Sequence, residues 1–82
     1  MNDTLREKLL AFVSDRAGVE VDRLTTETPL FSDGLLDSMI VLEMAAFVGK
    51  EAGVKFGPLD MTLQNMDSVA KILRFVGSKQ SG

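Results

Sequence analysis

Apolar residues recur at three- and four-residue spacing in two stretches of the chain and crowd together in a third. Leu5, Leu9, Phe12, Val13 and Ala17 form the first stripe, which predicts an amphipathic helix with Arg6, Lys8 and Asp15 on its wet face. Its start is marked by Thr4-Leu5-Arg6-Glu7, a capping-box pattern in which the threonine hydroxyl and the glutamate carboxylate each satisfy a free backbone N–H. Gly18 is placed to close it in a left-handed conformation. Val69, Ile72, Leu73 and Val76 form the second stripe, with Asp67-Ser68 as cap and Gly77 as stop, leaving residues 78–82 to fray. Between them, residues 39–48 carry Glu43 as their only charge, so a helix from Asp37-Ser38 to about Ala52, ended by Gly53, is apolar nearly all round. Such a helix is either buried on every side or offers one side to a partner, and a small domain favours the partner. Helical spacing puts Val41, Met44, Ala45, Val48 and Ala52 on the core side and Met39, Leu42, Glu43 and Ala46 on the other. Gly49 in its interior costs about 1 kcal/mol relative to Ala, which points to a close approach or a weak last turn.

From Val19 to Leu36 no helical period survives, and Thr28-Pro29 favours extended backbone because the proline ring disfavours helix in the residue before it. A connection this long, beyond the usual limit of about 12–15 residues, is either functional or packed by its own side chains. Val21, Leu24, Leu30, Phe31 and Leu35 are available for that packing. Residues 54–66 read as irregular, with a turn at Gly57-Pro58 and one helical turn around Leu59-Asp60-Met61-Thr62. The sum is an all-α domain spanning 1–82, ordered over about 4–77: three longer helices and a short one around a single core, with a long first loop.

Composition narrows the chemistry. The 82 residues include no Cys, His, Trp or Tyr. Cys-His and Ser-His-Asp nucleophiles, zinc sites of the usual type and redox dithiols are all excluded. No spacing singles out a pair of carboxylates for acid–base work, and no calcium loop is present, so neither a catalytic residue nor a metal site is expected. No apolar stretch approaches the roughly 20 residues that cross a bilayer, and no secretory signal is visible, so a soluble cytoplasmic protein is expected. The net charge of −3 is uneven, because residues 20–43 hold six acids against Arg23 alone while the remainder is positive. That acidity repels phosphate backbones and argues against nucleic acid.

The stretch Asp33-Gly34-Leu35-Leu36-Asp37-Ser38-Met39, at the junction of the loop and the apolar helix, resembles the acyl carrier protein family, whose members bear a 4′-phosphopantetheine arm on a serine. The likeness extends to the N-terminal amphipathic helix, the Thr-x-x-Thr-Pro-Leu-Phe loop, the short third helix and the apolar fourth, covering residues 4–77. It implies a small four-helix bundle in which Ser38 is the attachment residue. Asp37 beside it contributes to recognition by the modifying enzyme and to phosphate handling, and Met39, Leu42, Glu43 and Ala46 meet partner enzymes. A hydroxyl in the first turn of a helix is physically suited to that role, since the unpaired N–H groups and the dipole there favour a phosphodiester anion. The plain alternative is that Ser38 only caps the helix. Asp67-Ser68, an Asp-Ser where the family has no attachment site, reads as a cap only.

Gly-Leu-Leu-Asp-Ser-Met looks like the motif of D-alanyl and other stand-alone aminoacyl carriers, and the second helix lacks the acidic run of fatty-acid carriers. The resemblance implies three partners: a phosphopantetheinyl transferase using coenzyme A, a ligase that loads an aminoacyl or acyl group as a thioester, and a downstream acceptor enzyme. The carrier itself would be a monomer that catalyses nothing. The rival is a cofactor-free helical adaptor docking through its apolar second helix.

Overall fold

The two regular stripes and the crowded apolar stretch each become a helix, and their inward residues meet in one core. In the computed structural model, which describes residues 3–81, the elements are α1 (Asp3–Ala17), α2 (Ile40–Ala52), α3 (Leu63–Met66) and α4 (Val69–Ser81), with 3₁₀ turns at Val21–Arg23 and Pro58–Asp60. No strand occurs among the described residues, so the architecture is the small all-α bundle expected. None of these helices is long and apolar enough to cross a membrane. α1 packs on α2 and α4, and α3 packs on α4. Leu5, Leu9 and Val13 from α1, Met44, Ala45 and Val48 from α2, Met66 from α3, and Val69, Ile72 and Val76 from α4 fill the centre. Phe12 stacks on Phe47 across the α1–α2 seam with ring centroids 5.0 Å apart, and Phe56 meets Phe75 of α4 at 4.9 Å.

The long loop packs by its own side chains: Leu30 and Leu36 are buried in the core, and Leu24, Phe31 and Leu35 are partly buried against it. Val21 is the exception. It lies in the first 3₁₀ turn and is exposed, because that turn rides outside the bundle.

Four boundaries differ from expectation. α2 begins at Ile40 and not at Asp37-Ser38, because the Ile40 and Val41 N–H groups bond carbonyls three residues back and make a turn ahead of the helix. α1 already includes Asp3, so Thr4 lies within the helix and is not its cap; Asp3 pairs with Arg6 one turn on, at 3.6 Å. The short third helix falls at 63–66 and not around 59–62, since Pro58 starts a 3₁₀ turn that the Asp60 carboxylate closes by accepting the Gly57 N–H at 2.8 Å. Thr62, extended, then accepts the first amides of α3 from Asn65 and Met66. At the other end α4 runs through Gly77 to Ser81, although the pattern predicts a stop at Gly77 and fraying beyond it. A glycine stops a helix by turning left-handed, as Gly18 (φ 71°) and Gly53 (φ 70°) do and Gly77 does not. The last turn is also held: Lys79 lies over the Phe75 ring and 3.6 Å from Asp60, and the Gln80 side chain donates to the Ala52 carbonyl at 3.0 Å.

Gly49 and Gly77 therefore answer the same substitution with opposite signs. A Cβ at Gly49 would lie 2.9 Å from the Val54 carbonyl oxygen, where the chain leaving α2 folds back on it, whereas one at Gly77 meets nothing within 4 Å. Gly77→Ala is expected to raise stability by about 0.5–1 kcal/mol through helix propensity. Gly49→Ala is expected to lower it by about 1 kcal/mol, because moving a backbone carbonyl outweighs the same propensity gain. Thermal melts of the two variants check both signs.

Candidate functional site

The segment that leads into α2 is a closed turn. Leu30 and Leu36 both point into the core, and the Leu36 N–H donates to the Leu30 carbonyl at 2.7 Å, so the five residues between them bulge outward. Gly34, at φ 75°, makes that bulge possible, and its N–H donates to the Phe31 carbonyl at 3.1 Å. The chain emerges at Asp37, whose carboxylate accepts the Met39 N–H at 3.0 Å and whose carbonyl accepts the Ile40 N–H at 2.9 Å. Asp37, and not Ser38, thus satisfies the open end of the helix.

Ser38 is left free by this arrangement. It is exposed, its carbonyl accepts the Val41 N–H at 3.2 Å, and its hydroxyl makes no hydrogen bond to any described residue. Ser68, the serine of the other Asp-Ser pair, is buried, and its hydroxyl accepts the Lys71 N–H at 3.1 Å as the cap of α4. One serine is built into the fold and the other is presented by it. Beside Ser38 opens a largely apolar cleft of ≈150 Å³ between α2 and α3, walled by Phe31, Val41, Met61 and Met66.

Asp67 does more than the cap that its position predicts. Its Oδ1 accepts the N–H groups of Phe31 (2.8 Å) and Ser32 (2.9 Å), its Oδ2 accepts the Ser32 hydroxyl (2.7 Å), and its carbonyl accepts the Leu30 N–H (2.7 Å). Burial by itself would raise this carboxyl, but the Ser32 hydroxyl, the Ser32 and Phe31 amides and the nearby Lys71 ammonium together outweigh burial and hold it below its ordinary value of 3.8. A depressed folded-state value means that the stabilisation is complete above the ordinary carboxylate range and is lost as pH falls through the folded value. The stability advantage of the wild type over Asp67→Asn is accordingly expected to be constant from pH 7 to pH 5 and to shrink below pH 4, as read by urea unfolding at each pH. Sequence patterning missed this residue. A long loop needs acceptors for its backbone N–H groups, and Asp67 is the one acid in the run from Met66 to Val76, whose other charges are all basic; that was the available signal.

The outer side of α2 carries what the spacing placed there. Met39 and Leu42 are 68% and 56% exposed, Ala46 is exposed beside them, and Met44, Ala45 and Val48 are buried opposite, with Val41 and Ala52 partly so. Glu43 is exposed but engaged, its Oε1 accepting from Arg16 Nε of α1 at 2.9 Å; Glu51 likewise meets Lys8 of α1 at 2.7 Å. Both acids of α2 therefore lean toward α1. On the other flank, Leu42, Ala46 and Gly49 border a groove of ≈380 Å³ floored by Val54, Phe56 and Met61 and edged by Lys50 and Lys55.

What these parts offer chemically is an exposed hydroxyl just ahead of a helix, an apolar cleft next to it and an apolar face below it, with no general base poised on the serine. A model of the family described as the phosphopantetheine attachment site matches residues 7–76. No curated protein matches the chain.

Proposed function

Because the chain belongs to the phosphopantetheine attachment-site family, whose domains bear a covalent 4′-phosphopantetheine and act as carriers and not as enzymes, we propose that Ser38 is its attachment residue and that its cargo is an aminoacyl group. The observation that carries the first part is the contrast between the two Asp-Ser pairs: Ser38 alone is exposed with an unengaged hydroxyl, whereas Ser68 is spent on capping. The site also fits the group chemically. An exposed hydroxyl can attack the pyrophosphate of coenzyme A without disturbing the fold, losing its proton as adenosine 3′,5′-bisphosphate leaves, and the turn ahead of α2 is a favourable place for the phosphodiester that results. The arm supplies a terminal thiol, absent from the chain itself, on which an activated carboxylate is held as a thioester.

The chain's own residues present and dock. Asp37 fixes the turn that leads into α2 and so the direction in which Ser38 projects. Met39, Leu42 and Ala46 form the apolar surface for the partners: a phosphopantetheinyl transferase, a loading ligase and an acceptor enzyme. Glu43, tied to Arg16, takes part only at the edge of that surface. The aminoacyl assignment is supported by Gly-Leu-Leu-Asp-Ser-Met and by the shortage of acids on α2. We further read residues 1–82 as one carrier domain, monomeric and cytoplasmic. The family's carrier role takes the place of the cofactor-free adaptor.

The test is intact-mass spectrometry before and after incubation with coenzyme A and a broad-specificity phosphopantetheinyl transferase, with the adduct mapped by fragmentation. A single adduct on Ser38 is expected; an adduct elsewhere overturns the assignment. For cargo, the protein is isolated from its native cell and weighed before and after hydroxylamine cleavage of thioesters. A released amino acid is expected, and a released fatty acyl group overturns the aminoacyl reading.

A further inference from the structure

We propose that Asp67 is a positioning residue for modification of Ser38, its carboxylate setting, through residues 30–36, where the serine is presented to the phosphopantetheinyl transferase. The inference rests on Ser38 being the attachment residue. Because the Ser38 side chain makes no hydrogen bond to any described residue, its place is inherited from the backbone on either side. On the C-terminal side that backbone is α2, fixed by Met44, Ala45 and Val48 in the core. On the N-terminal side it is a loop whose hydrogen bonds to the rest of the fold, beyond the Val19–Ser14 contacts at the end of α1, converge on the α3–α4 junction. The Thr26 carbonyl accepts the Ala70 N–H at 2.8 Å, and the remaining tethers, from Leu30, Phe31 and Ser32, all end on Asp67. The Leu36-to-Leu30 hydrogen bond of 2.7 Å then carries that anchorage to the residue next to Asp37.

Packing and clamping do different work here. Leu30 and Leu36 hold the loop by apolar burial, which is non-directional and leaves rotation of the intervening backbone open. A carboxylate that accepts two adjacent amides and a hydroxyl fixes orientation as well as depth. Phe31, whose amide it holds, also walls the cleft beside Ser38, so the clamp shapes the surroundings of the serine as well as its approach. Removing the carboxylate leaves the Leu30 N–H on the Asp67 carbonyl and the Ser68 cap on α4, so the fold survives while the loop samples more orientations. If about a tenth of the molecules then hold the competent one, the apparent affinity of the transferase falls about tenfold. The turnover step, taken once the loop is gripped, changes little.

The experiment measures transferase kinetics by intact mass on the full chain: wild type, Ser38→Ala, Asp67→Ala, Asp67→Asn, Ser32→Ala, and Val13→Ala as a core variant on α1, outside the loop. Each is assayed at a temperature where far-ultraviolet circular dichroism shows it folded, and amide hydrogen exchange is followed at Phe31 and Ser32. The expected result is a KM for the carrier raised about tenfold in Asp67→Ala, less in Asp67→Asn and Ser32→Ala, with kcat within about twofold and faster exchange at both amides. Val13→Ala, destabilised without removing any of the loop's hydrogen bonds, keeps the wild-type KM. An unchanged KM in folded Asp67→Ala, or an equal rise in Val13→Ala, overturns the inference while leaving Ser38 as the site. An adduct that persists in Ser38→Ala, or none on the wild type, overturns the attachment reading and this one with it.

Discussion

Ser38→Ala is expected to abolish the phosphopantetheine adduct completely and to leave the bundle folded. The loss is total because the hydroxyl oxygen is the atom that would form the new bond, and alanine offers no oxygen in its place. The fold is spared because that hydroxyl is exposed and makes no hydrogen bond to any described residue, while the helix start is satisfied by Asp37. An exposed substitution of this kind changes stability by no more than about 0.5 kcal/mol. Ser68→Ala supplies the mirror image. It removes the cap on the Lys71 N–H from a buried position, costs about 1 kcal/mol, and leaves the adduct intact. Intact mass and a thermal melt on both variants separate the two serines, and loss of the adduct in Ser68→Ala would contradict this division of roles.

Leu9→Ala is expected to have the largest effect on stability. Leu9 is fully buried on the middle turn of α1, the helix that packs on both α2 and α4, so its removal opens a cavity where three helices meet. Truncation of a buried leucine costs about 2–5 kcal/mol. A domain of 82 residues has only about 4–12 kcal/mol to lose. At several degrees per kcal/mol for a domain of this size, the melting temperature falls on the order of 15 °C. A fall of only a few degrees would mean that α1 is held mainly by its outer contacts, the Phe12–Phe47 stack and the ion pairs to α2.

The periodic parts of the chain were the legible ones. Leu5, Leu9 and Val13 on one helix and Val69, Ile72 and Val76 on another went inside because a 3.6-residue repeat leaves a side chain no other face to occupy. Gly18 and Gly53 closed their helices as predicted, whereas Gly77 did not. A glycine permits a left-handed turn without requiring one, and the residues beyond it decide: Lys79 and Gln80 find partners by continuing the helix. Of the site, Ser38 and the exposed face of α2 could be read because they depend on local order along one helix. The Asp67 clamp could not, since it joins residues 35 and 36 positions apart whose pairing exists only after the loop has folded over α4. The third helix was misplaced by a few residues for the opposite reason, a purely local competition in which Pro58 and Asp60 secured a 3₁₀ turn first.

The lean of Glu43 and Glu51 toward α1 has a bearing on encounter rates. With both acids neutralised by Arg16 and Lys8, and Lys50 and Lys55 forming no ion pair among the described residues, the long side of α2 offers an approaching enzyme a positive field and no negative one. Glu27, Asp33 and Asp37, which form no ion pair among the described residues, gather on the loop and at the mouth of α2 instead. Added salt, which shortens the reach of exposed charges to about 10 Å at 0.1 M, should then slow association with a basic enzyme that approaches the Ser38 end. By screening Lys50 and Lys55 it should speed association with a basic enzyme that lies along the helix, so ionic strength alone would sort the partners by where they land.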